Sequence, residues 1–246
     1  MTCSSSKSQM QTESIERFLK KDTIRNLNML YFMETNPVHT LERTGDSVLM
    51  RGTSDHRWVY ISSPDEQELR ALSARLTGED RYFAVIEDWM LPVITSNRKI
   101  EWQLSCMKLV LPEEVAFSEI PLTGITPLSV DDVQYLHENS IYQSFSSPDY
   151  IRERIQRGPG AGIRESGQLV AWILTHDDSA IGFLHVLEAH RKKGYAYNLT
   201  VHMIQQLRQR GRIPFVQIEE SNIKSISLAQ KLGFKETYKV NWLSLK

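Results

Sequence analysis

Cysteine is scarce in this chain. Among 246 residues only Cys3 and Cys106 carry a thiol. Cys3 lies in a polar stretch and Cys106 in an alternating, strand-like run. A disulfide framework is therefore excluded as the basis of the fold, and a reducing compartment, the cytoplasm, is expected. No apolar run approaches the roughly 20 residues of a membrane span. An excess of either charge is missing as well: 29 Lys and Arg stand against 30 Asp and Glu, for a formal net charge of −1. Nothing in that balance points to nucleic acid or a membrane surface as partner. The histidines His137, His176, His185, His190 and His202 show no metal-ligand spacing with cysteines or acids, so no metal is expected. A nucleophile elbow, a Walker A loop and a GxGxxG fingerprint are all absent.

What remains reads as a folded enzyme-sized chain. Hydrophobic residues make up 41% and charged residues 24%, enough to bury a core in one large or two small domains. Residues 1–12 are rich in Ser, Gln and Lys without an apolar core. They are expected to form a disordered tail rather than a signal peptide.

The most informative stretch runs from Ala180 to Phe234. Ile181 to Leu187 is an apolar, strand-like run, followed by the basic turn Arg191-Lys192-Lys193-Gly194-Tyr195-Ala196. A helix-like segment, Tyr197 to Arg210, stops at Gly211. A strand-like Pro214 to Glu219, a second helix from Asn222, and Gly233-Phe234 complete it. A helix N-terminus exposes unpaired N–H groups and a partial positive charge. Gly194 and the small Ala196 let a ligand approach the backbone, and Arg191, Lys192 and Lys193 add formal charge. That combination makes an anion cradle suited to a pyrophosphate.

Arg191, Gly194 and Ala196 after an apolar strand resemble the acyl-CoA signature of the GNAT (Gcn5-related) N-acyltransferase superfamily. Asn222, Ser225, Ile226 and Leu228, then Lys231-Leu232-Gly233-Phe234, resemble its later motif. Gln168 to Trp172, Glu188 to Arg191 and Arg212 to Val216 look most like the glycine N-acyltransferase-like, or FR47-like, branch. The resemblance is clear from about Ile125 to Leu243. It implies an α/β (α+β) fold in the C-terminal half. The expected order is strand, two helices, three antiparallel strands, helix, strand, helix, strand.

The first half also alternates helices and strands but holds no such motif. It is read as a mixed α/β domain over residues 13–118, either a degenerate copy of the same fold or a family-specific N-terminal domain. The acyltransferase domain follows at 119–246, with Pro112 to Pro127 as linker. In the first half the spacing predicts a helix at Ser14 to Lys20 and another at Thr23 to Met33 capped by Asp22. Strands are expected at Ser47 to Met50, Arg57 to Ser62, Tyr82 to Ile86 and Ile100 to Leu111. A helix is expected from Ser63-Pro64 to Leu76.

The resemblance implies transfer of an acyl group from acetyl-CoA or another acyl-CoA to a primary amine, a small molecule or amino acid. The coenzyme would lie against Leu184, His185 and Val186, the turn Arg191 to Ala196, and Asn222 and Ser225. A protein-modifying acetyltransferase and an acyl-CoA-binding regulator are the rival readings, and a homodimer stays open. Two family positions hold alanine here: Ala180, where the branch has a glutamate base, and Ala229, where many relatives have a tyrosine acid. His185 and Asp178 are the candidate bases. Tyr195, Tyr197 and Tyr238 are candidate acids. Trp172, on the neighbouring strand, is the candidate for lining the acceptor pocket.

Overall fold

A computed structural model describes residues 3–117, 124–140 and 143–246. The chain divides into two compact units, Met1–Cys106 with Tyr238–Lys246, and Met107–Thr237. The division falls inside strands rather than in the expected Pro112–Pro127 linker. Most of the last strand belongs with the first unit, a pairing that adjacency in sequence does not reveal.

The first unit opens with α1 (Cys3–Leu19) and α2 (Thr23–Thr35). The sequence reading takes residues 1–12 as a disordered tail; the structure has residues 3–12 within α1. Between Cys3 and Leu19 there is no Pro or Gly, and straight-chain Gln, Lys, Met and Glu favour helix. The C-terminal end of α1 is anchored by Ile15 and Leu19, both buried. In α2, Asp22 accepts a hydrogen bond from the Arg25 N–H, and residues Asn26 to Phe32 are all buried. Three antiparallel strands follow: β1 (Val38–Thr44), β2 (Ser47–Thr53) and β3 (Arg57–Ser62). Strand β1 is a finding with no counterpart in the sequence reading. It is an edge strand, its residues half-buried or exposed, and its His39, Glu42 and Arg43 mask the alternation, as charged edges commonly do.

Next come α3 (Glu66–Ser73), β4 (Tyr82–Glu87), the short α4 (Leu91–Ile94) and β5 (Ile100–Val110). Strand β4 is parallel to β3. The sheet order in this unit is β1-β2-β3-β4, then β11 (Lys235–Leu245) and β5. Leu49, Val59, Phe83, Leu243 and Leu245 pack with Leu69 and Leu72 of α3 as one core.

The second unit repeats that order of elements. Strand β6 (Ile125–Pro127) is followed by α5 (Val133–Glu138) and α6 (Pro148–Arg157). Part of the first strand expected here, Ile120 to Leu128, lies outside the described residues. Ser129 and Asp132 form a capping box before α5, and Ser147 caps α6. Strands β7 (Gly160–Glu165), β8 (Gln168–Thr175) and β9 (Ile181–Val186) are antiparallel. Then come α7 (Tyr195–Gln209), β10 (Phe215–Glu219), parallel to β9, and α8 (Ile223–Lys231). The strand order is β5-β10-β9-β8-β7-β6. One face packs on α7 and α8 through Val170, Ile173, Leu199, Met203, Ile204, Leu207 and, from α8, Ala229. The other packs on α5 and α6 through Val133, Leu136, Ile151, Leu169, Trp172 and Leu174. Each unit thus reads two helices, three antiparallel strands, helix, parallel strand, helix, and the order implied by the resemblance holds. Among the described residues no helix is long and apolar enough to cross a membrane.

Candidate functional site

Strand β9 is central in its sheet, yet it is not buried like one. Leu169 to Thr175 of β8 are all buried, whereas Gly182 to Val186 of β9 are all half-buried. The cause is its other neighbour. Strands β9 and β10 pair through one position only, Val216 opposite Ile181. Beyond it the two strands part, and Gln217 to Glu219 of β10 become half-buried as well. A parallel pair that separates after one step leaves backbone N–H and C=O groups of β9 without a ladder partner on that side. Groups of this kind need a partner from water or from an extended ligand.

The strand is also bulged. Against β8 the register steps from Trp172–His185 to Leu174–Gly182, so β9 carries one extra residue, and Phe183 sits at φ 52°. A left-handed φ is costly for an aromatic residue, on the order of 1–2 kcal/mol. Bulges re-aim side chains next to functional clefts. Here Phe183 joins the face under α5 and α6, while Leu184 and Val186 pack toward α7.

The turn after β9 builds the cradle. A 3-10 turn spans Glu188–His190, Lys192 adopts φ 65°, and Gly194 adopts φ 83° as the N-cap of α7. A Cβ on Gly194 would meet nothing within 4 Å, so the position faces open space, and the left-handed φ is what calls for glycine. No side chain caps α7 and its first turn holds no acid. The Tyr195, Ala196 and Tyr197 N–H groups therefore have no intrahelical acceptor. Arg191 and Lys193 are half-exposed, and Arg191 Nε donates to the Val186 carbonyl at 3.3 Å. At α8, the Asn222 Oδ1 accepts from the Ser225 N–H at 3.2 Å, so Asn222 acts as the cap of that helix.

A carboxylate from elsewhere in the unit joins this turn. Glu165, the last residue of β7, lies 2.9 and 3.1 Å from Lys193 Nζ, accepts from the Tyr195 hydroxyl, and sits 3.2 Å from His190 Nδ1. The Tyr195 hydroxyl, then Lys193, holds its carboxyl down at about 2. Glu165 in return raises both Lys193 and Tyr195 above their ordinary values. Sequence reasoning missed Glu165. It lies 28 residues before Lys193, and only the hairpin geometry brings it there.

The candidate bases are not together. His185 is near the cleft end of β9, with its ring stacked on Trp172 at 4.6 Å and 15°. Burial, then the charge of Arg191, lowers its pKa, so it is neutral at physiological pH. Asp178 lies in the turn before the other end of the strand, and Ile181 to His185 alone spans roughly 13 Å of strand. It is fully buried and engaged, accepting from the Ala180 N–H at 3.0 Å and from Gln217 Nε2 at 3.2 Å. Beside it, the Tyr150 hydroxyl donates to Asp177 and Arg212 to Ser179. This group holds the β8–β9 turn. Trp172 is 1% exposed; it presents its face to His185 and packs in the core beneath α5. Both alanines at the family's acid and base positions, Ala180 and Ala229, are buried. Of the three tyrosines, Tyr195 serves Glu165. The Tyr238 hydroxyl donates to the Arg25 carbonyl in the first unit. The Tyr197 ring lies 5.9 Å from Lys231 Nζ. Among the described residues no cluster of three or more His, Cys, Asp or Glu is arranged to hold a metal ion.

Residues 160–243 match the FR47-like protein family, a span that covers β7 through most of β11. A Drosophila protein of solved structure superposes with a TM-score of 0.79 at 16% identity, over 96% of each chain. A GNAT-family acetyltransferase from Novosphingobium aromaticivorans gives 0.55 at 16% identity, covering 87% of this chain and 91% of its own. A GCN5-related N-acetyltransferase from Kribbella flavida gives 0.54 at 14% identity, covering 90% and 94%. At these identities the likeness establishes the fold. No curated protein sequence matches the chain.

Proposed function

This chain has the GNAT acetyltransferase fold with an FR47-like segment at residues 160–243, and from that premise we propose that it is an acyl-CoA-dependent N-acyltransferase acting on a small primary amine. The observation that carries the reading is the half-buried central strand β9, parted from β10 after one pair, leading straight into an uncapped, basic helix start. Coenzyme A brings a thioester already activated toward amines, so the chain needs no covalent nucleophile.

The residues present fit that ligand. The first-turn N–H groups of α7, with Gly194, Arg191, Lys192 and Lys193, hold a pyrophosphate. The free edge of β9 at Leu184, His185 and Val186 pairs with an extended amide-bearing arm as an added strand. Its N–H groups supply a preorganised donor for a developing oxyanion. His185, neutral and fixed by the Trp172 ring, accepts the amine proton directly or through water. The leaving thiolate needs no strong acid, since a thiol pKa is about 8.5. Asp178 belongs to the turn that sets the start of β9, as a positioning residue.

One observation favours a second reading. Ala180 and Ala229 are buried apolar side chains where an acid–base pair is expected, which suits a protein that binds acyl-CoA with little turnover. Release of free thiol from acetyl-CoA, with and without a panel of small primary amines, separates the two. Amine-dependent release supports the transferase. Coenzyme binding with no release for any amine contradicts it and supports the binding protein.

A further inference from the structure

The cradle already holds an anion of its own. The Glu165 carboxylate reaches the turn from the end of the β7–β8 hairpin, whose tip is set by Ser166 at φ 49° and Gly167 at φ 83°. It accepts hydrogen bonds from two groups at the start of α7, Lys193 Nζ on both oxygens at 2.9 and 3.1 Å and the Tyr195 hydroxyl on Oε1, while His190 Nδ1 lies 3.2 Å from Oε2 without a hydrogen bond. The carboxylate is 32% exposed and Lys193 is 44% exposed. Exposed ion pairs of this kind contribute little to stability, so fold stability does not account for an ammonium and a phenol converging on one carboxylate. Its chemistry is that of the ligand the cradle suits. It presents anionic oxygens that accept from an ammonium and a phenol at a helix N-terminus.

We propose that Glu165 is a resident stand-in for the coenzyme's phosphate groups. It occupies Lys193 and Tyr195 in the ligand-free protein and is displaced from them by phosphate oxygens, so that it sets the affinity of the cradle. Binding exchanges one set of charge-assisted hydrogen bonds for another. Lys193 and Tyr195 keep a partner throughout, and Glu165 moves to water. The inference rests on the acyl-CoA reading of the site.

The test is calorimetric titration of coenzyme A into the wild type, Glu165→Gln and Glu188→Gln. Glu188 carries the same charge in the same turn, 3.7 Å from Arg191, but is 91% exposed, so it reports the general loss of one negative charge. The proposal predicts binding tighter by about three- to tenfold in Glu165→Gln, and by less than about twofold in Glu188→Gln. Binding by Glu165→Gln where the wild type binds too weakly to measure also supports it. Equal or weaker binding by Glu165→Gln overturns the stand-in and leaves the acyl-CoA reading intact, as does an equal gain in Glu188→Gln. No binding by any of the three proteins overturns both.

Discussion

In the first unit α3 begins behind Asp65, whose carboxylate accepts from the Glu68 N–H at 2.9 Å, and Glu66 and Glu68 stand in its first turn. In the second unit the corresponding helix, α7, begins behind Gly194, with no side-chain cap, no acid in the first turn, and Lys192 and Lys193 just before it. The two helices follow corresponding strands, β3 and β9, each with a parallel neighbour. The strand pairs differ too. β3 and β4 stay paired over three positions, and past them Arg25 binds Glu87 at 2.6 Å. β9 and β10 keep one pair and part. One order of elements thus yields two helix starts of opposite character. The first supplies its own carboxylate and repels anions. The second has no carboxylate of its own in the first turn, and in the proposed reading its amides and basic side chains meet a ligand's phosphates once Glu165 is displaced. The fold offers the place, and the residue at the cap decides whether an anion binds there.

That contrast can be broken in graded steps. The largest effect is expected at Trp172, the core side chain that faces His185. Trp172→Ala should cost about 3–5 kcal/mol of stability in the unfolding of the second unit, followed by urea denaturation. Next comes Gly194→Asp, which gives α7 the start that α3 has. The left-handed φ costs on the order of 1–2 kcal/mol, and coenzyme A affinity should fall by about a hundredfold, or roughly 2.7 kcal/mol. The reciprocal change is smaller. Asp65→Ala removes the α3 cap and should cost about 1 kcal/mol, with coenzyme A affinity unchanged within about twofold by calorimetry.

The smallest effect concerns protons. The pKa of His185 is lowered by burial and then by Arg191. As the proton acceptor it therefore places the acid limb of kcat/KM below the ordinary histidine value of about 6.5. In stability the same shift contributes nothing above about pH 6.5, where both states are neutral. It destabilises the fold as pH drops from there toward the folded pKa, because the unfolded chain takes up the proton first. Arg191→Gln should move the limb upward by less than about one unit, measured as a pH–rate profile.

Much of the second unit is legible in the sequence because its signals are local. The strand–turn–helix of Ile181 to Gln209 is marked by an apolar run, a glycine and a polar turn, and the structure starts α7 at Tyr195, two residues before the predicted Tyr197. Asn222 announces α8 as its cap. Other features are set by partners distant in sequence. The charged edge strand β1 gains its conformation from β2. The single pairing of β9 with β10 follows from how two distant strands diverge. Asp178, which by sequence is a carboxylate within reach of β9, is buried and bonded by Ala180 and Gln217. Glu165 reaches the cradle because a hairpin folds back. Only the first part of α1 reads as polar and unpatterned; the helix expected from Ser14 is its C-terminal part, where Ile15 and Leu19 enter a core.

The most direct test of the account is the stoichiometry of coenzyme A binding, measured by calorimetry on the wild type and on Gly194→Asp. One molecule per chain, lost in Gly194→Asp, is the predicted result, since the α7 start, basic, without a side-chain cap and without an acid in its first turn, is the proposed anion site. Two molecules per chain, or one that survives Gly194→Asp, would contradict the assignment of the cradle to that helix start.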